Sequence, residues 1–232
     1  MARRNVFAER TRPSFRSWNG SAASSSRPRV VRVLPAISAV LDGTTAPSPR
    51  AQQMLSLLEA WRAAGGSRLD RDLDGKIDDP GAAIIDAAWP RLADAVLRPV
   101  LGPLVDRLAA LMPRDDPPNA GGSSYLTGWY GYVDKDLRTL VAESRGTALP
   151  AGAFATRFCG GGSLAACRAS LWAALDAAGA ELAATQGPDP TAWRADATGE
   201  RIRFAGFMPN TMRWSNRPTF QQVMTFASHR PR

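Results

Sequence analysis

Leu164, Cys167, Leu171, Leu175, Ala178 and Leu182 recur every three or four residues, and no proline interrupts them before Pro188. An apolar stripe of that period needs a partner surface along its length, so the chain has to fold around packed helices. Ser163 is placed to cap this helix and Gly187-Pro188 to end it. Two more segments obey the same rule. Ser48-Pro49 opens a run in which Met54, Leu55, Leu58, Trp61 and Arg62 keep helical spacing until Gly65-Gly66. Asp79-Pro80 opens another, with Ile84, Ile85, Ala88, Trp89 and Leu92 on one side, which Pro90, Pro99 and Pro103 are expected to kink or divide. VLPAISAVLDG (33–43) is an apolar stretch closed by Asp42-Gly43, and Asp189-Pro190 marks a short helix start. RIRFAGF (201–207) and RPTFQQVMTF (217–226) have the alternation and aromatic content of strands. The expectation is an α+β fold, mostly helical with terminal β-strands and no internal repeat.

Arg, Asp or Pro breaks every hydrophobic stretch before the roughly 18 apolar residues that a membrane-spanning helix needs, so no membrane span is expected. The net charge of +8 invites a nucleic-acid reading, but its distribution argues against one. Residues 1–30 hold seven arginines against the single acid Glu9, a net +6, which leaves +2 for residues 31–232. A nucleic-acid surface belongs on the folded body that meets the phosphates, and no nucleic-acid partner is expected. The chain therefore divides into an Arg/Ser-rich arm, 1–30, with no hydrophobic period and an expectation of disorder, and a folded portion, 31–232. The arm lacks the apolar core of a secretory signal, which leaves a cytoplasmic location open for the chain as encoded.

PRDDPPNAGGSS (113–124) has the composition of a loop, and Tyr125, Trp129, Tyr130 and Tyr132 cluster just after it. Such a cluster either locks a loop onto the body of the domain by aromatic packing or lines a ligand groove; packing is the favoured reading. The strongest chemical signal is LDRDLDGKIDDPG (69–81). Asp70, Asp72 and Asp74 alternate before Gly75, with Ile77 eighth and Asp78 ninth counting from Asp70. Alternating carboxylates before a turn-making glycine let several oxygens converge on one hard cation, the logic of EF-hand calcium loops. The match breaks at the twelfth position, where Gly81 replaces a bidentate Glu, and no flanking helix pair of EF-hand type is evident. Calcium held by Asp70, Asp72, Asp74 and Asp78 in a structural role is one reading; a solvated turn whose carboxylates cap the helix at Pro80 is the other.

Cys159 and Cys167 are the only cysteines, and the intervening glycines give the loop freedom to bring their sulfurs together. A disulfide there implies an oxidising compartment; the alternative is a pair of reduced, partly buried thiols. His229 is the only histidine and sits near the end of the chain, so a Ser-His-Asp triad or Cys-His dyad is not expected, and HExxH and G-x-S-x-G are absent. No catalytic residue is assigned.

Three segments resemble the penicillin acylase (penicillin amidase) family: AWRAAGGSRLDRDLDGKIDDPGAAIIDAAWPRLADAVL, RFCGGGSLAACRASLWAAL and MRWSNRPTFQQVMTF. The last, through Asn216-Arg217-Pro218-Thr219-Phe220-Gln221-Gln222-Val223, is similar to the family's closing strand. The resemblance spans roughly residues 31–230 and is to the C-terminal segment of the β-chain. It implies an N-terminal nucleophile hydrolase, an αββα sandwich matured by self-cleavage, whose new terminal serine attacks the amide and uses its own α-amine, of pKa about 8, as base. It also implies linear acyl amides as substrates, penicillin or acyl-homoserine-lactone side chains among them, and a periplasmic or secreted setting. The family's nucleophile lies upstream of the matched region, and Ser21, Ser123 and Ser163 do not sit in a Gly-Ser-Asn-type junction. The expectation is thus the C-terminal part of such an enzyme, inactive alone, with the remaining acylase chain as its partner; the alternative is a calcium-stabilised structural or interaction module without catalysis.

Overall fold

The computed structural model describes residues 28–115 and 128–197, together with the backbone of 201–202 and 212–213. Six α-helices dominate these residues: α1 (Pro28–Leu41), α2 (Pro49–Ala63), α3 (Pro80–Leu101), α4 (Leu104–Leu111), α5 (Tyr130–Ser144) and α6 (Leu164–Gln186). Short 3-10 turns at Cys159–Gly162 and Pro190–Ala192 flank α6. Arg201–Ile202 (β1) pairs antiparallel with Met212–Arg213 (β2). The fold is therefore mostly helical. The strand expected over 217–226, the rest of that over 201–207, His229 and nearly all of the arm lie outside the described residues.

Local chemistry accounts for the helix ends. The Ser48 hydroxyl accepts the Ala51 N–H at 3.1 Å and the Ser163 hydroxyl accepts that of Ala166 at 3.3 Å, each meeting one of the N–H groups a helix start leaves unpaired. Asp79 does the same for α3 through Gly81, at 2.9 Å, and Asp189 for the last 3-10 turn through Thr191, at 2.9 Å. Of the three prolines expected to kink or divide this run, Pro103 marks the division, at Gly102-Pro103 before α4, while the helix continues through Pro90 and Pro99 to Leu101. Pro90 and Pro99 are both exposed, on the side of α3 away from its buried stripe. α1 begins at Pro28, inside the stretch assigned to the arm.

The core is a set of buried stripes around α3. Ile84, Ile85, Ala88, Trp89, Leu92 and Val96 of α3 meet α6, whose Leu171, Leu175 and Ala178 are fully buried, and α2 closes one side with Met54, Leu58 and Trp61. α1 and α5 pack together through Val33, Ile37 and Val40 against Val133, Leu137 and Leu140. Four buried indoles act as ties to loops. Trp61 donates to the Ser67 carbonyl at 2.8 Å, Trp89 to Arg114 at 2.7 Å, Trp129 to Met112 at 3.2 Å and Trp193 to Gly187 at 2.8 Å. Each buries a large apolar ring while satisfying its one donor. Trp129 and Tyr130 are buried, with Tyr130 stacked on Trp89 at 4.0 Å, so this part of the aromatic cluster packs the core; Tyr132 is half exposed and Tyr125 lies outside the described residues. No described helix is long and apolar enough to cross a membrane.

Candidate metal centre

The acidic loop joins α2 to α3, with residues 64–69 between α2 and the first aspartate. It is fixed at three places. Ile77, fully buried, donates its N–H to the Ala195 carbonyl at 2.9 Å, and Gly75 accepts from Ala197 at 2.8 Å, so the loop pairs with the chain after Trp193. Asp78 donates its N–H to Leu69 at 2.9 Å, closing the loop on itself. The bend is tight enough to place Leu73, an apolar residue 69% exposed, at φ 65°, a region L-residues avoid.

Within this frame the Asp70, Asp72 and Asp78 carboxylates bring oxygens within 4.8 Å of one another. Oxygens bound to one calcium at 2.3–2.6 Å are separated by at most about 5 Å, so the three fit a single ion of that class. Asp70 is nearly buried, and one of its oxygens accepts the Gly75 N–H at 3.2 Å. Asp78 accepts the Arg71 N–H at 3.2 Å and its guanidinium at 2.6 Å. Burial pushes the Asp78 carboxyl up, but the Arg71 side-chain and backbone hydrogen bonds and the charges of Arg71 and Arg194 outweigh it, holding the group below the ordinary carboxylate value. Asp74, expected as a fourth ligand, stands outside the group: its carboxylate turns back to accept the Lys76 N–H at 2.7 Å. The helix-capping role expected of these carboxylates belongs to their neighbour Asp79.

The glycine at the twelfth loop position has a physical cause. A Cβ on Gly81 would lie 2.4 Å from the Cβ of Trp61, because the start of α3 crosses the end of α2 there. No side chain, and so no carboxylate, fits at that position without moving the indole.

Cys159 and Cys167 form a disulfide, with S–S 1.99 Å and Cα–Cα 5.0 Å, and both are fully buried. Gly160 makes the turn possible: it sits at φ 58°, and a Cβ there would meet the Cys167 nitrogen at 2.5 Å. The turn is held from α5 by Asp136, whose two oxygens accept the N–H groups of Phe158 at 2.9 Å and Cys159 at 2.8 Å. Burial raises the Asp136 carboxyl above its ordinary value, against those two hydrogen bonds and the Arg157 charge. Sequence spacing did not reveal Asp136. A perturbed carboxylate is a catalytic candidate when it faces a cleft, but both of this one's oxygens face backbone N–H groups, and its work is to anchor the turn. No protein-family model matches the chain, and no curated protein matches it either.

Proposed function

We propose that this chain is a non-catalytic helical portion of a penicillin-acylase-type hydrolase acting on linear acyl amides, in which the Asp70–Asp78 loop holds a structural calcium ion. The observation that carries the calcium half is the convergence of Asp70, Asp72 and Asp78 on a loop that closes on itself and is stitched to the chain after Trp193. An ion there would neutralise three carboxylates and clamp the α2–α3 connection to the 195–197 segment. Three carboxylates are fewer than the six to eight oxygens calcium takes, so backbone carbonyls and water complete the set and affinity falls in the range of extracellular modules. The hydrolase half is supported by the three quoted segments, which span α2–α3, the disulfide turn with α6, and the end of the chain. In that reading the remaining acylase chain supplies the serine nucleophile, the α-sandwich partner strands and the acyl pocket. The buried disulfide supports a periplasmic or secreted setting.

Calorimetric titration of the chain with calcium tests the first half. Binding is expected for the wild type and for Asp74→Ala, and its loss for Asp72→Ala; no binding heat at millimolar calcium overturns it. Chromogenic phenylacetyl and long-chain acyl amides test the second half: robust turnover by the chain alone would mean that a nucleophile is present. The genomic DNA immediately upstream gives an independent answer, since a front half with its serine junction supports the hydrolase assignment and clean intergenic sequence overturns it.

A further inference from the structure

Most described arginines are consumed by neighbours. Arg68 pairs with Asp86, Arg71 with Asp78, Arg91 with Glu181, Arg98 and Arg114 with Asp94, and Arg157 with Glu143. Arg32 and Arg145 have no acidic partner among the described residues, and both stand on the same groove, a cavity of about 430 Å³ between α1 and α5. Its floor is small and apolar: Ala36 and Ala39 from α1, Val141 and Ala142 from α5. The charged groups that face it are Arg32 from α1, Asp134 and Arg138 from α5, and Arg145 at the C-cap of α5; Asp134 and Arg138 pair at 2.7 Å, which leaves two uncompensated positive charges. Arg32, Arg138 and Arg145 are all exposed, so the rim is open to solvent.

We propose that this groove is a docking site for an acidic, amphipathic helical segment of a partner protein. Three features select that occupant. The charge is uncompensated only at the rim, which calls for an anion above an apolar face. Alanines on the floor let a helix backbone come close, as in helix-in-groove recognition. Arg138, in its exposed pair with Asp134, and Arg145, at the C-cap of α5, are seven residues apart, a helical rise of about 10 Å, which matches glutamates two turns apart on the incoming helix. A small carboxylate would use one cationic end and leave the other idle.

The test uses the full chain and a fluorescein-labelled synthetic peptide, with leucines on one face and two glutamates spaced two helical turns apart, followed by anisotropy. Saturable binding is expected, weakening as salt rises. Arg32→Glu and Arg145→Glu should each weaken it at least about tenfold, with Arg107→Glu, an exposed arginine away from the groove, as the unchanged control. Absence of saturable binding, an equal loss in Arg107→Glu, or equal binding of a peptide with glutamine in place of both glutamates overturns the proposal. Circular dichroism of each variant confirms folding, and Arg32→Gln with Arg145→Gln supplies the same reading should a charge reversal fail to fold.

Discussion

Removing the Cys159–Cys167 bond isolates one energetic term cleanly, because the turn it closes is held in place by other contacts. A separation of eight residues closes a loop of nine, from Cys159 to Cys167. In the chain-entropy model a loop of that size removes about 9 cal/mol/K from the unfolded ensemble, or about 2.6 kcal/mol at 25 °C. The folded side of the balance changes little. Asp136 still accepts the Phe158 and Cys159 N–H groups, Gly160 still allows the close approach to Cys167, and Ser163 still caps α6. The Cys159→Ala/Cys167→Ala double variant should therefore unfold at lower urea with its native far-ultraviolet spectrum intact. For a chain of this length, about 2.6 kcal/mol corresponds to a Tm lowered by roughly 5–10 °C. The assay is urea and thermal unfolding of the variant beside the wild type, the latter with and without reductant, and thiol titration establishes the redox state of each sample. An unchanged midpoint in a sample whose bond is shown to be absent would refute the reasoning. It would mean that the denatured chain already keeps these residues together.

Asp136→Ala strips the acceptor from two N–H groups at about 1–3 kcal/mol each, and chemical denaturation should show a loss of roughly 2–5 kcal/mol. The sign of its pH dependence is fixed by the raised carboxyl: between the unfolded and folded pKa values the folded state binds more protons. Asp136 therefore favours folding most below the ordinary carboxylate value and less as pH rises through that window, so the stability of the wild type relative to Asp136→Asn should fall there; a rise would contradict it. Gly81→Ala forces a Cβ into Trp61 and should cost about 1–3 kcal/mol, read as a lowered denaturation midpoint with an unchanged slope. Arg68→Met leaves Asp86 without the guanidinium that meets both its oxygens at 2.9 and 2.7 Å; because that carboxylate keeps access to water, the expected loss is about 1–3 kcal/mol, measured the same way.

The helices that the sequence announces are those whose buried face is apolar throughout. α2, α3 and α6 carry their stripes and caps openly, and the prolines in α3 mislead only because exposure on the water side cannot be read from spacing. α5 goes unseen for the opposite reason: its buried side includes Asp136 and Thr139 between Val133, Leu137 and Leu140. A buried carboxylate breaks the hydrophobic period while serving a partner more than twenty residues away in the chain, which no local pattern encodes. In the acidic loop, alternation singles out Asp70, Asp72 and Asp74 and the ninth position adds Asp78; three of the four carboxylates converge, and spacing cannot tell that Asp74 spends its carboxylate on the Lys76 backbone. Of the strand expected over 201–207 the described residues show Arg201–Ile202, paired with Met212–Arg213, a segment not expected as a strand; 217–226 lies outside the described residues.

The crossing of Trp61 and Gly81 also limits how the acidic loop can be improved. An engineer wishing to build stronger cation ligation into the loop would first think of writing a glutamate at the twelfth position, yet that route is closed by the Trp61 side chain, whose Cβ lies 2.4 Å from where the new side chain would start. Stronger ligation has to be recruited from across the fold, at the 195–197 segment that already pairs with the loop. If the loop holds the proposed ion, its affinity and the packing of the two helices are coupled, and a change in one is felt by the other.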